Sequence, residues 1–504
     1  MRIALSTGAE PVLSPATIDD QHNDRLLDAS LLGVLVVSCL TFYWLTIHGT
    51  WRPPYNEVGV WNARTSHFFL AQAQAITRGR LWVPPAQLGD DCFVHAGKCY
   101  GYFGLTPSLL RLPFLAVLDH YKDGLTPVFV TAALTLATGS FLASLRHLFA
   151  RMSLGRTTTF VVALIGLSFG VASVLTQLVP GNVYDEAVAW AVGFLSLAVY
   201  CFIRWWEGPQ LRWYLLLLVS LVMATNARPT AVPFALAIGM GVGYRLWSLK
   251  GVGSKDRAKS VPLGALMVVI PIATCIGVFM LKVGQPIPSY LLNQQVTGQH
   301  ASLRWVKIRL LDHNQLMSLR FIPTALFAYL RPDALHFTPT FPWVDFRFRS
   351  YLTPTGFAGP SITYVGLHKG SLYAETVSSL TATMPLVFLA ALGAAACRLR
   401  WRTYGSVSQW LRSLLPGSRP LWKIIVLVAA VASWFVVLTG IAVEERFLGD
   451  AYPLMALVLL LSLPSLARAL DRQGRLMKAG VVLIVVSGIS WQLLVNLALT
   501  WRYP

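Results

Sequence analysis

Apolar runs of bilayer-spanning length recur from one end of this chain to the other, and that recurrence restricts the fold more than any motif. A helix needs about 20 predominantly apolar residues to cross the hydrocarbon layer. Runs that meet or nearly meet this demand cover residues 30–47, 127–145, 158–178, 183–203, 211–226, 229–247, 261–281, 376–397, 422–442, 450–467 and 479–498. Backbone polar groups find no partner in lipid, so such runs must satisfy their own hydrogen bonds as helices. The expected fold is an all-α polytopic membrane protein with about 11 transmembrane helices by that length rule. Composition agrees, since 55% of the 504 residues are hydrophobic and 12% are charged, about half the charged share of a soluble domain.

A net charge of +19 would suit a nucleic-acid binder. The basic residues, however, sit in short loops between apolar runs, as cytoplasmic loops do. No arginine–aromatic patch points to nucleic acid. Residues 1–28 lack the basic start of a secretory signal and read as a cytoplasmic tail. With the tail inside, every second loop falls on the same side, and these loops hold twenty basic residues against three acids, Glu207, Asp256 and Asp471. The alternation requires Thr106–Leu118, which is short and interrupted by Arg111 and two prolines, to lie along the membrane as a juxtamembrane helix. The chain then divides into the tail (1–28), a first span (29–48), an extracytoplasmic loop (49–126), spans two to seven (127–282), a second extracytoplasmic loop (283–375) and spans eight to eleven (376–504). The N-terminus is expected in the cytoplasm and the C-terminus outside.

Both outer loops carry features beyond those of a linker. In the first, residues 62–76 mix Phe68, Phe69, Ala71, Ala75 and Ile76 with polar positions, as interfacial helices do. Cys92 and Cys99 bracket FVHAGK at a spacing suited to the two arms of a hairpin; in an oxidising compartment they would form a disulfide. A zinc site fits less well, because Cys92, His95 and Cys99 crowd one turn without a clear fourth ligand. The other cysteines, Cys39, Cys201, Cys275 and Cys397, lie in or beside apolar runs and read as small hydrophobes. The second loop has eight Lys and Arg, among them Arg304, Lys307 and Arg309, against four acids. Cations left outside against the topological bias suggest a positive surface for an anionic ligand, and the plain alternative is a solvated face. Residues 321–330 within it read as a further interfacial or re-entrant helix.

Acids at the outer membrane edge are few: Glu57, Asp90, Asp91, Asp185, Glu186, Glu444 and Glu445. Ionisable groups at membrane margins are functional candidates by default. An acceptor hydroxyl needs a base or an aligning acid, because a neutral alcohol is a poor nucleophile. A leaving lipid phosphate needs cations or a metal. Both kinds of group lie on one side here. Each also has a structural use. Glu57 can pair with Arg52 or Arg64, Asp185 and Glu186 can complement a helix dipole, and Arg446 can pair with Glu444 or Glu445.

The first outer loop carries a family resemblance. Its residues are His67-Phe68-Phe69-Leu70-Ala71, Gly79-Arg80-Leu81, Gly97-Lys98 with Tyr100 and Tyr102-Phe103, and Pro107 with Leu109-Leu110 through Leu112-Pro113-Phe114. This series resembles the loop of the GT-C class of polyprenyl-phosphate-sugar-dependent glycosyltransferases, in the bacterial branch of aminoarabinose and protein mannosyl transferases. Shorter likenesses follow at Tyr184-Asp185-Glu186-Ala187, Arg228-Pro229-Thr230, and Arg446-Phe447 with Tyr452-Pro453. The resemblance implies a GT-C-like fold in a bacterial cytoplasmic (inner) membrane, with an acidic catalytic residue early in the first outer loop. The matching zone holds Glu57, where the family more commonly has Asp. Asp90 or Asp91 matches its second acidic position. Arg228 and Arg446 would bind lipid phosphate, with Tyr184, Asp185, Glu186, Arg304, Lys307 and Arg309 as further substrate-binding candidates.

The expected activity is therefore transfer of a sugar from a polyprenyl-phosphate donor to a glycan, lipid or protein acceptor on the outer face of the membrane. Besides membrane lipid, donor and acceptor are the expected partners, and nucleic acid is not one. No cofactor is demanded; the outer acids could hold a divalent cation, although no ligand spacing requires one. A transporter or flippase for a lipid-linked or anionic solute is one rival, which would show internal repeats and mid-span charges. A non-catalytic membrane scaffold is the other.

Overall fold

The computed structural model describes residues 18–47, 67–88, 93–121, 125–150, 152, 154–179, 183–248, 254–286, 317–332, 335–339, 343–346, 352–355, 359–363, 371–374, 378–400, 421–440, 442–443 and 446–502. Eight helices in it are long and apolar enough to cross a membrane, and the chain is a multi-pass membrane protein. In order, the apolar helices are α1 (Ile18–Thr46), then α5 (Thr126–Phe149), α6 (Arg156–Gly170) and α7 (Val183–Glu207). They continue as α8 (Leu211–Ala227), α9 (Val232–Trp247), α10 (Ser254–Val283), α13 (Pro385–Arg400), α14 (Leu421–Leu438), α16 (Tyr452–Asp471) and α17 (Arg475–Arg502). Every apolar run read from the sequence overlaps one of these helices. Three of them, α8, α9 and α13, are only 17, 16 and 16 residues long, shorter than a straight crossing requires, and α6, at 15 residues, reaches spanning length only together with the turn Val174–Leu178 that follows it.

Between α1 and α5 come α2 (Phe68–Thr77), the hairpin β1 (Phe93–His95) and β2 (Lys98–Tyr100), α3 (Thr106–Arg111) and α4 (Leu115–Tyr121). In the second loop α11 (Ile322–Leu330) precedes β3 (Leu335–Phe337) and β4 (Val344–Phe346), an antiparallel pair. Strands β5 (Leu352–Thr355), β6 (Gly359–Thr363) and β7 (Ser371–Ala374) extend to β8 (Ala442–Val443), which pairs with β7 in parallel through Tyr373 and Ala442. Short α12 (Leu380–Thr383) leads into α13, and α15 (Arg446–Gly449) into α16.

Two helices are central. In the windows Arg156–Leu178 and Tyr184–Glu207, 83% of residues are buried, against 33% in Pro262–Val283 and Arg475–Ala498. The outer helices turn aliphatic side chains outward, as Leu281 (74% exposed) and Leu483 (68%) do; in a bilayer these meet acyl chains. Helices α9 and α10 approach until backbones touch: a Cβ at Gly264 would lie 2.5 Å from the Gly243 Cα. Small residues permit such approach where no hydrophobic force drives helices together.

Helix ends sort into two groups. At one end Arg146 of α5 pairs with Asp28 and, at 3.6 Å, with Asp24 of α1, while His147 meets Glu207 at 2.9 Å. Asp471 there receives the Gly155 amide at 3.3 Å and the Thr158 hydroxyl. These are all groups assigned above to the basic side. At the other end lie the hairpin, the sheets and the loop helices.

Three details depart from the sequence reading. Helix α1 starts at Ile18, inside the segment read as a tail, and the pairs from Asp24 and Asp28 to Arg146 tie this extension down. The run 158–178 is not one straight helix. It breaks after Gly170 and resumes as a 3-10 turn, Val174–Leu178, capped by Ser173, whose hydroxyl accepts from the Leu175 amide at 3.2 Å. Freed carbonyls find side chains on α17: Asn496 donates to Ala172 at 3.4 Å and Thr500 to Thr176 at 3.0 Å. Finally, α13 begins at Pro385, well after residue 376, because Ser379 caps the separate turn α12 at the Ala382 amide.

Candidate functional site

The residues that carry the family resemblance fold into one unit on the loop-bearing end. Helix α2 buries Phe68 and Phe69, whose rings lie 5.8 Å from that of Phe103. The hairpin pairs Val94 with Cys99 and turns through Ala96 (φ 49°) and Gly97 (φ 72°); positive φ at both centres is the two-residue turn matching strand twist. Cys99 is buried and disulfide-bonded, whereas Cys39, Cys201, Cys275 and Cys397 are free. Burial beside it raises the Tyr100 hydroxyl pKa above its ordinary value. Gln72 of α2 accepts from Ser108 of α3 at 2.7 Å, joining the two helices.

Three contacts fasten this unit to the spans. The first is an ion pair between Arg111 at the end of α3 and Glu186 in the first turn of α7, both fully buried. Arg111 donates to both carboxylate oxygens, with Nη2 at 2.9 Å from Oε2. Its guanidinium also lies 4.1 Å from the Phe129 ring centre and 3.3 Å from the Thr126 hydroxyl. The second is Lys282 in the last turn of α10, fully buried and donating to the carbonyls of Gly101, at 3.1 Å, and Phe103, at 2.5 Å. The third is steric. A Cβ at Gly104 would sit 1.7 Å from the Asn226 carbonyl oxygen near the end of α8, so only glycine fits.

Arg228 follows α8 directly. Its Nη2 lies 3.0 Å from Asp450 and its guanidinium 4.9 Å from the Phe447 ring. Its side chain keeps 16% of its surface exposed, unlike Arg111. Arg446 opens α15 immediately before Phe447. Tyr184 stands edge-on to Phe103 at 5.3 Å, and Asp185 is buried. The structure thus brings Tyr184 and Glu186 against the first loop, with Asp185 buried in the same helical turn, and Arg228 beside the segment that holds Arg446. Glu57, Asp90, Asp91, Cys92, Arg304, Lys307 and Arg309 lie outside the described residues. Among the described residues no group of three or more His, Cys, Asp or Glu side chains is placed to hold a metal.

Sequence reasoning passed over Arg111, Lys282 and Asp450. A charge inside the apolar run PSLLRLPF was visible, and a fully buried arginine is rarely unpaired. Its partner is 75 positions away, on α7, and no periodicity names it.

No family model and no curated protein matches this chain in sequence. Among solved structures it is similar to the archaeal oligosaccharyltransferase AglB of Archaeoglobus fulgidus in complex with an inhibitory peptide and a dolichol-phosphate, at 14% identity and a TM-score of 0.45. It is similar to the same organism's oligosaccharyltransferase in the apo form (14%, 0.45) and tethered with an acceptor peptide containing the NVT sequon via a disulfide bond (14%, 0.46). The matches cover 93% of this chain but 55–56% of those chains, so this chain spans little more than half their length. A likeness of that degree assigns no activity, substrate or site residue to it.

Proposed function

We propose that this protein is an integral-membrane glycosyltransferase of the GT-C class, moving a sugar from a polyprenyl-phosphate donor to an acceptor at the loop-bearing face. One observation supports this above others. The α2, turn, hairpin and α3 segments that carry the resemblance form a single packed unit, pinned to α7, α8 and α10 by Arg111, Gly104 and Lys282. Such pinning fixes the unit against the span ends, the rigid support that a preorganised site requires.

In this reading Glu57 is the base or acceptor-aligning acid, with Asp91 next and Asp90 beside it. Arg228 and Arg446 neutralise the lipid phosphate, since a guanidinium offers the bidentate geometry that phosphate takes. Arg304, Lys307 and Arg309 add positive charge from the second loop. Tyr184 and Asp185 shape the floor, and Glu186 acts through Arg111 as a positioning residue. Cys92 pairs with Cys99 and stiffens the hairpin. The loop-bearing face is extracytoplasmic and the basic end cytoplasmic, in a bacterial inner membrane.

The test is binding of undecaprenyl phosphate to the purified protein in detergent. Arg228→Gln should weaken binding by about tenfold or more, on the 1.5–3 kcal/mol that a hydrogen bond to a charged group contributes. Arg228→Lys should fall between the two. Equal affinity for all three proteins would remove Arg228 from the phosphate site.

A further inference from the structure

A cavity of about 490 Å³ opens at the opposite end of the bundle, where α6 and α17 begin. Thr157 of α6 lines one side, and Arg475, Lys478, Val482, Leu483 and Val486 of α17 line the other. Residues three and four apart share a helix face, so these positions of α17 form one stripe. Its order along the axis is cation, cation, aliphatic, aliphatic, aliphatic. Leu483 and Val486 are 68% and 42% exposed, and α17 is one of the helices least covered by the rest of the protein.

The two cations are not neutralised by any described carboxylate. Among the described residues neither Arg475 nor Lys478 forms an ion pair with a carboxylate. The nearby acid, Asp471, is already engaged by Gly155 and Thr158 at the start of α6. Lys478 reaches its backbone carbonyl, at 3.2 Å. A solvated surface patch would not need an aliphatic floor, and a lipid-facing helix would not need two unpaired cations aimed into the same cavity.

We infer that this cavity binds an anionic glycerophospholipid, its phosphate between Arg475 and Lys478 and an acyl chain along Val482, Leu483 and Val486. The stripe has the polarity of such a lipid, charged at the head and apolar along the tail. Basic pockets between spanning helices are a known means of holding acidic headgroups. Free phosphate would use only the charged half of the site. A zwitterionic lipid would bring a cation of its own toward Arg475 and Lys478. The site is remote from the loop-bearing end and stands whether or not the chain transfers sugar.

The experiment titrates fluorescent phosphatidylglycerol into the full-length protein in a neutral detergent, with phosphatidylcholine and inorganic phosphate as competitors. Each juxtamembrane cation contributes roughly fivefold in affinity, so the Arg475→Gln/Lys478→Gln double variant should bind about 30-fold more weakly. Should the double variant fail to fold, each single variant is expected to lose roughly fivefold, and Val486→Ser to weaken binding with both cations in place. Phosphatidylcholine and phosphate should compete poorly. Unchanged affinity in the charge variants overturns the inference. Equal competition by phosphatidylcholine would make the groove a nonselective lipid surface, and displacement by phosphate at matched concentration would make it a simple anion site; either result also overturns it.

Discussion

Removing the Glu186 side chain would take the paired carboxylate from the Arg111 guanidinium where neither residue has any exposed surface. The Pro107 carbonyl at 3.1 Å, the Thr126 hydroxyl and the Phe129 ring also touch Arg111, and all three are neutral. Breaking a buried ion pair by removing one partner costs about 3–5 kcal/mol, whereas replacing both by apolar groups of similar volume is often close to neutral. Glu186→Leu and Arg111→Met are therefore each expected to destabilise by about 3 kcal/mol or more. The double variant should recover most of that loss, giving a coupling of about 2 kcal/mol or more. Equilibrium unfolding in mixed micelles, followed by tryptophan fluorescence, reads all four corners of the cycle. Single losses under about 1 kcal/mol, or additivity within about 0.5 kcal/mol, would refute the claim that this pair pins the first loop to α7.

Three further outcomes follow from the same end of the molecule. Gly104→Ala places a Cβ 1.7 Å from the Asn226 carbonyl and should cost about 1–3 kcal/mol as overpacking, with increased proteolysis in the first loop as the readout. Ala96→Asn should raise the melting temperature, because Ala96 holds a left-handed φ of 49° that costs roughly 1 kcal/mol and that Asn tolerates. Alkylation of the denatured protein should label four thiols before reduction and six after it, if Cys99 pairs with Cys92. Six labels without reductant would dismiss the bridge.

How far the fold was legible follows from the kind of signal each part left. The spans were readable because lipid forces apolar continuity, and that signal is local to each run. The hairpin was readable from the spacing of Cys92 and Cys99, and β1 and β2 form there. The start of α1 at Ile18 was not, since the sequence there is polar and its helix leans on Arg146, over a hundred positions away. The break in α6 was missed for a similar reason: apolar content stays high through Gly170-Val171-Ala172-Ser173, and the carbonyls are satisfied from α17. At the candidate site, Asp185 and Glu186 were picked out by type and position, and Tyr184 and Arg228 by the family resemblance. What joins them to the first loop, through Arg111, Lys282 and Gly104, depends on contacts between distant segments that composition cannot specify.

The central claim is transfer chemistry at the loop-bearing face, and proteoliposomes containing a labelled polyprenyl-phosphate sugar test it most directly. Release of polyprenyl phosphate with labelling of an acceptor is expected for the wild-type protein across a panel of donor sugars and membrane acceptors. General-base catalysis contributes about 10²–10⁴ in rate, so Glu57→Gln should lose activity on that scale while Asp91→Asn loses less. Wild-type protein that moves the intact labelled lipid between leaflets but releases no polyprenyl phosphate from any donor would contradict the account.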